Sequence, residues 1–465
     1  MNFVKRSILV ITVSIIILGN LTCKKEPAFY VAKTSFTIRN EKAYVDSLVR
    51  FTNNSDTKHV TFVWDFGDGT TSDSLNPSHT YTDHGKYIIT LKTFVNKLFS
   101  NSSSQTLTVI VGEKLYSLKK ITEGFNFAEG KDSSIVVIGQ TWDTPDGSQM
   151  FLSKFDKNLR PLWVKYPDKN LSPYVGSIER MSDGNFIIAG SLDNSANSNH
   201  FSLSKLDQQG NVMWDNKYDQ TNGQCVFASE TKDGGIIGIG MEDTEIVPMV
   251  TVLKADRNGN FQWKKNFKKE WLMFANNIIP LDDGYLFASS TRGQYSATNS
   301  LDSLVITKIN LDGEVVWKKA KEWQYYYYII YTVFSSTIAL NNNYIVVVND
   351  GNNFVMVFDQ KGNFIKRNFS DLAQNTLITS TPKNNFIIGS RNDLGINFFN
   401  NSADKIGMMS YGNHNRICQP TRGNGWALKL LLGGNFLFMG IVYKECETNT
   451  ASTLLVKIDE AGTVQ

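Results

Sequence analysis

Short apolar runs separated by clusters of Gly, Asp, Asn and Ser follow one another through residues 132–465, and one pattern recurs seven times. Its clearest marker is a run that closes on Lys-x-Asp or a variant of it. The seven copies are Ser153-Lys154-Phe155-Asp156, Ser204-Lys205-Leu206-Asp207, Leu253-Lys254-Ala255-Asp256, Thr307-Lys308-Ile309-Asn310, Val357-Phe358-Asp359, Phe398-Phe399-Asn400 and Val456-Lys457-Ile458-Asp459. From Asp156 to Asp459 the six intervals average about 50 residues. Apolar runs this short, bounded by turn formers, read as strands rather than helices. The pattern therefore predicts an all-β repeat domain with four strands to a unit.

A period near 50 with four strands matches the blade of a β-propeller and not a helical solenoid. In the third unit, strands are expected over residues 226–231, 235–241, 250–256 and 261–266. Between the last two, Asp256-Arg257-Asn258-Gly259 puts an acceptor side chain at the start of a type I turn and Gly where the backbone needs positive φ. Asp207-Gln208-Gln209-Gly210 and Asp359-Gln360-Lys361-Gly362 repeat it. Trp163, Trp214, Trp263 and Trp317 then share one position in the fourth strand, where a large ring is expected to fill the gap between blades. A sialidase Asp-box also joins Asp, Gly and Trp in a turn, but with one residue between Asp and Gly where this chain has two. The quinoprotein dehydrogenase repeat is similar only in its Gly and Trp.

Counted from Glu123, the seventh unit holds only three strands before the sequence stops at Gln465. Residues 114–121 resemble Met213-Trp214-Asp215-Asn216-Lys217-Tyr218 in alternation, and they are predicted to supply the missing strand. That closure would remove two exposed sheet edges. Residues 113–465 are thus assigned to a seven-bladed β-propeller.

Upstream, Trp64-Asp65-Phe66-Gly67-Asp68-Gly69-Thr70 is followed by Asn76-Pro77-Ser78-His79-Thr80-Tyr81 and by Gly85-Lys86-Tyr87-Ile88-Ile89-Thr90-Leu91. The three blocks in this order resemble the PKD domain, an immunoglobulin-like β-sandwich, over residues 33–112. The resemblance implies an extracellular spacer or binding module, often attached to carbohydrate-active or surface proteins, without catalysis of its own. Trp64, Asp65, Gly67, Asp68, Gly69, His79, Tyr81, Gly85 and Tyr87 are accordingly read as structural, since a hydrogen-bonded turn beside a core Trp needs no metal to explain it.

At the N-terminus, Lys5-Arg6 precedes an apolar run over residues 7–18, which is short for a membrane span and has the form of a secretory signal. Gly19-Asn20-Leu21-Thr22-Cys23 resembles a bacterial lipobox, with departures at Asn20 and Thr22. Residues 1–22 are read as a lipoprotein signal, Cys23 as the lipid anchor and residues 23–32 as a tether. The layout resembles that of a Bacteroidetes-like lipoprotein of the cell envelope, held in the outer membrane and facing the periplasm or the outside. Without Lys5 and Arg6, 45 basic residues face 44 acidic ones. No basic patch marks a nucleic-acid partner. Of the four cysteines, Cys418 and Cys446 are expected to form a disulfide and Cys225 to stay a buried thiol.

Loops that lead into the first strand of a blade share one face of a propeller with loops between its second and third strands. Tyr174, Trp271, Trp323, Tyr325, Tyr326, Tyr327 and Tyr328 are assigned to the former, and Trp142, Tyr295 and Tyr443 to the latter. Rings there could stack on sugars or on a partner protein, or pack between blades. No metal-ligand spacing, nucleophile elbow or phosphate loop is present. The adjacent pair Glu242-Asp243 is read as solvated, because a glycosidase needs two carboxylates facing each other across a bond. The expectation is a monomeric lipoprotein that binds a glycan or protein, without cofactor or catalytic residues. The competing expectation is a carbohydrate-active hydrolase or lyase with the PKD module as its accessory.

Overall fold

The computed structural model describes residues 31–39, 42–118, 121–142, 148–166, 174–191, 200–242, 249–267, 272–291, 300–325, 335–340, 342–349, 353–369, 375–390, 395–410, 427–443 and 451–458. All regular structure among them is β. The chain divides into two compact units. The first contains Leu48–His79 and Lys86–Leu107 together with the preceding residues to Glu41; the second contains Lys42–Ser47, Thr80–Gly85 and Thr108–Gln465.

Two sheets form the N-terminal sandwich. One orders Phe36–Ile38, Leu48–Asn53 and Ser78–Thr80; the other orders Lys42–Tyr44, Leu98–Ile110, Gly85–Val95, Val60–Asp65 and Thr71–Ser72. Alternation in Val60–Asp65 sends Val60, Phe62 and Trp64 inward. Trp64 is fully buried, packs edge-on against Phe36 at 5.1 Å and donates its indole N–H to the Ser74 carbonyl at 2.9 Å. In the turn that follows, Asp65 accepts from the Gly67 N–H at 3.0 Å, and Asp68 accepts from the N–H and hydroxyl of Thr70 at 3.0 and 2.6 Å. His79 reaches the other oxygen of Asp68 at 2.6 Å and stacks on Phe66 at 4.3 Å. Burial would raise the Asp68 carboxyl, but hydrogen bonds from Thr70 and His79 outweigh it and hold it below the ordinary value. Gly67 has φ +80, and a Cβ there would lie 2.8 Å from the Ile88 carbonyl, so no other residue fits. Gly69 shares the positive φ, Tyr81 is buried, and Gly85 and Tyr87 lie on Gly85–Val95.

In the second unit, seven blades follow one another among the described residues, forming a β-propeller: the second, third, fifth and sixth are four-stranded antiparallel sheets, the fourth has its inner strand split into Leu272–Phe274 and Ile278–Leu281, and the first and seventh join in one eight-stranded sheet where Ile121 pairs Ala451 in parallel. The third is built from Gly223–Glu230, Ile236–Glu242, Met249–Ala255 and Phe261–Phe267, each within about three residues of the sequence expectation. The innermost strand of each blade contacts that of the next, and Ala427–Leu430 of the seventh contacts Ile121–Glu129 of the first, so the ring closes. Its closing strand is Glu113–Tyr116, which pairs antiparallel with Thr453–Val456 and completes the seventh blade as the alternation of residues 114–121 implied.

Adjacent blades are joined by one repeated contact. The turn between third and outer strands uses Asp156, Asp207, Asp256, Asn310, Asp359 or Asn400 to cap the backbone two and four residues on, at 2.8–3.0 Å. Gly210, Gly259, Gly313 and Gly362 close four of these turns at positive φ. Each also touches the Trp of the blade before it: a Cβ on Gly210 would lie 2.5 Å from the Trp163 ring, and Cβ atoms on Gly259, Gly313 and Gly362 would meet Trp214, Trp263 and Trp317 at 2.5–2.9 Å. The glycines are thus fixed both by backbone conformation and by the ring above them. Two turns among the described residues lack both the glycine and a preceding Trp. Lys366 takes the Trp position in the fifth blade, and the next turn has Ala403 at φ +59; the closing strand has no Trp, and the first turn has Leu159 at φ +59.

A second device works inside each blade. Lys154, Lys205, Lys254 and Lys308 leave the third strand toward the turn between the first two strands and bind Asp132, Asp183, Asp233 and Asp283 at 2.7–3.1 Å. The ammonium groups are nearly buried, Lys254 at 3% exposure, so an unpaired lysine there would be costly. Burial would raise Asp233, but bonds from Thr231 and Lys254 bring its carboxyl down to about 2. In the fifth and sixth blades the lysine becomes Val357 or Phe398, and the turn aspartate becomes Asn342 or Lys383.

Candidate ligand-binding end of the propeller

Antiparallel order makes the first and third strands of a blade begin, and the second and outer strands end, at the same end of the ring. The strand termini therefore sort the aromatic candidates. Trp142 is the last residue of Ile135–Trp142, opposite Ser148, and Tyr174 is the first of Tyr174–Arg180, opposite Ser191. Tyr443 ends Phe436–Tyr443 opposite Ala451. All three lie at the end away from the Asp–Gly turns.

Trp323 and Tyr325 lie at the same end, but in a strand and not in a connecting loop as their sequence suggested. Val315–Tyr325 has eleven residues, whereas the other outer strands laid down after a third strand have five to seven. Measured from the equivalent lysines, the third-blade hairpin runs from Lys254 back to Val250, and the fourth-blade hairpin from Lys308 back to Ser300. The extra four pairs, from Ser303–Glu322 to Ser300–Tyr325, extend the fourth blade by about 13 Å. Trp271, Tyr295, Tyr326, Tyr327 and Tyr328 lie outside the described residues, as do Cys23, Cys418 and Cys446.

Polar groups at this end are partly committed to the framework. Glu242 is 5% exposed, accepts from Lys264 at 2.9 Å and from the Asn266 amide at 2.8 Å, and so is a buried ion pair rather than a solvated acid. Its neighbour Asp243 lies outside the described residues. His200 is bound through Nδ1 to the Thr221 carbonyl at 2.5 Å. Gln140, two residues before Trp142, is buried at 4% exposure, and its amide nitrogen has no hydrogen-bond partner among the described residues. Cys225 is buried and unbridged, and burial pushes its thiol up to about 12, which suits packing and not nucleophilic attack.

The buried lysines escaped the sequence reading. The marker Lys-x-Asp was visible, but its lysine was given no partner. The available signal was the joint loss of lysine and turn aspartate in the fifth and sixth units.

Residues 31–111 match the PKD domain family. A segment of 139 residues is 27% identical to collagenase ColA of Bacillus cereus, covering 28% of this chain and 14% of the collagenase. Among solved structures, virginiamycin B lyase from Staphylococcus aureus aligns with a TM-score of 0.45 at 12% identity, over 74% of this chain and 97% of that one. The Dos1 propeller aligns with a TM-score of 0.45 at 10% identity, over 90% of this chain and 94% of that one. The family match and the closed ring of sheets together identify the chain as a PKD domain followed by a β-propeller.

Proposed function

We propose that the protein is a non-catalytic binding protein of the cell envelope, whose propeller takes a glycan or protein ligand at its aromatic end and whose PKD domain acts as spacer. The observation that carries this reading is the extended fourth-blade hairpin, which carries Trp323 and Tyr325 past the last described pair of the third-blade hairpin, on the end where Trp142 and Tyr174 also lie. Aromatic rings give large contact area at low entropic cost, and they suit both sugar faces and protein partners. The Gln140 amide, without a hydrogen-bond partner among the described residues and two positions from Trp142, adds a polar handle of the kind that fixes a ligand's orientation. Glu242, the acid that sequence placed on this face, is held in an ion pair and serves the framework.

Anchoring through a lipidated Cys23 in the outer membrane belongs to the same proposal, supported by the charged and apolar N-terminal segment. The test is a titration of the chain from Lys24 onward against a panel of polysaccharides, following tryptophan fluorescence and reducing-sugar release together. Saturable fluorescence change without release supports the reading. Release of sugar ends overturns it in favour of a hydrolase or lyase. Mass spectrometry of the membrane fraction tests the anchor, since a diacylglyceryl adduct is expected on Cys23.

A further inference from the structure

Departures from the repeat pattern in the first and seventh blades converge on one place. In blades one to four each third-strand lysine has its turn aspartate, but opposite Lys457 of the seventh blade the equivalent turn residue is Gly433. Lys457 is nevertheless only 7% exposed. Its ammonium lies 3.1 Å from Nε2 of His84 and 3.4 Å from the Lys157 carbonyl. The first-blade turn is equally irregular: Leu159 stands where blades two to five have glycine, and Arg160 where three of those four have Asn. Within the second unit this turn binds the segments Lys42–Ser47 and Thr80–Gly85. Asn158, 1% exposed, donates to the Thr82 carbonyl at 3.0 Å and to Asp83 at 2.8 Å and meets His84 Nδ1 at 2.7 Å. Lys157 pairs with Asp83 at 3.0 Å, and Arg160 holds Asp46 through two nitrogens at 2.7 and 2.6 Å.

The bond directions fix the histidine's state. A lysine ammonium only donates, so Nε2 of His84 accepts and must be bare. The ring proton then sits on Nδ1 and is given to the Asn158 carbonyl oxygen, which leaves the Asn158 amide to make its two donations. Every member of the network is satisfied only while His84 is neutral. We propose that His84 and Lys457 form an acid-labile latch that holds Thr80–Gly85 in the second unit, closed at neutral pH and opened when the imidazole gains its second proton.

An imidazolium would face the Lys457 ammonium with its acceptor lost. The surroundings do not rescue it: Lys157 and Arg160 are also cationic, Asp83 is engaged by Lys157 and Asn158, and Asp46 is engaged by Arg160. Burial, with Lys457 and Lys157 adding to it, lowers His84 below the ordinary 6.5 against the opposing Asn158 bond and Asp83 charge. The fold therefore favours neutral His84, so the latch contributes fully above about pH 6.5 and is lost as pH falls through the lowered value. Glu129 faces Lys457 from the first blade, and burial raises its carboxyl, so its protonation would weaken the same place in acid.

Amide hydrogen exchange of Thr80–Gly85 in the full chain, corrected for intrinsic rates, tests the latch. Opening is expected to increase on the order of tenfold between pH 7.5 and 5.0, as the protonated imidazole loses its contact with Lys457. His84→Gln, which keeps an acceptor and cannot titrate, should abolish the increase. A flat wild-type profile, or a rise that survives His84→Gln and so belongs to Glu129, overturns the proposal. If that variant does not fold, the His84 ring titration by NMR decides. It should fall below 6.5 in the wild type and move up in Lys457→Met; a wild-type value at or above 6.5 contradicts the latch.

Discussion

Blades one to four and blades five and six share one backbone plan but are held differently. The first group carries both devices, the Trp on the next blade's glycine and the buried Lys on its own turn Asp. The second group lacks the lysine, and from the fifth blade onward the ring of Trp contacts stops. In its place Lys366 of the fifth blade pairs with Asp404 of the sixth at 2.9 Å, while Val357 and Phe358 are buried. The lesson is that in blades one to six the lysine and its turn aspartate are kept or lost together, because a buried lysine without a partner would leave an uncompensated charge. Stability in a ring of repeats is then a sum of blade and seam contributions that differ around the circle.

The largest expected effect comes from breaking a Trp seam. Trp214→Ala should destabilise by about 3 kcal/mol in chemical denaturation, because a large half-buried ring is removed from between blades. Lys366→Ala at the equivalent position should cost under about 1 kcal/mol, as the pair it breaks is partly exposed. Next, Gly259→Ala should cost about 2–3 kcal/mol, from positive φ and from a Cβ pressed on Trp214. Ala403→Gly should change stability by less than about 1 kcal/mol, since relief of φ +59 is offset by the loss of a fully buried methyl group. Equal effects at the two sites would break the comparison.

Smaller effects come from the Lys–Asp pairs. Asp233→Ala should cost about 1–2 kcal/mol, less than a fully buried pair because Asp233 half faces water. Its lowered carboxyl also gives a direction with pH. The contribution is complete above the ordinary value of 3.8 and is lost as pH falls toward about 2, and Asp233→Asn should flatten that part of the acid limb. Smallest is the transplant. Val357→Lys alone should destabilise the fifth blade, and adding Asn342→Asp should return about 0.5–1 kcal/mol of coupling in a double-mutant cycle.

These pairings also mark where sequence reasoning reached its limit. Asp256, Gly259 and Trp263 lie within eight residues, so turn chemistry and strand position exposed them directly, and the shortage of strands in the last unit exposed the closing strand. Lys254 and Asp233 are 21 residues apart, and neither signals the other until units that lack both are compared. Lys457 and His84 are 373 residues apart and belong to no period, so only the folded ring brings them together. At the candidate site, the aromatic residues were legible as types, but the run Trp323 to Tyr325 resembled a loop because its continuation of the hairpin depends on pairing with Ser300–Asp302.

The most direct test of ligand capture at the aromatic end is to compare the wild-type chain with the Trp323→Ala, Tyr325→Ala double variant against a polysaccharide or partner that binds. The account predicts a loss of affinity of at least about tenfold, corresponding to about 1.4 kcal/mol, with an unchanged melting temperature, because Trp323 and Tyr325 sit in the last pairs of the hairpin. Binding left intact by the double variant would contradict it and place recognition elsewhere on the molecule.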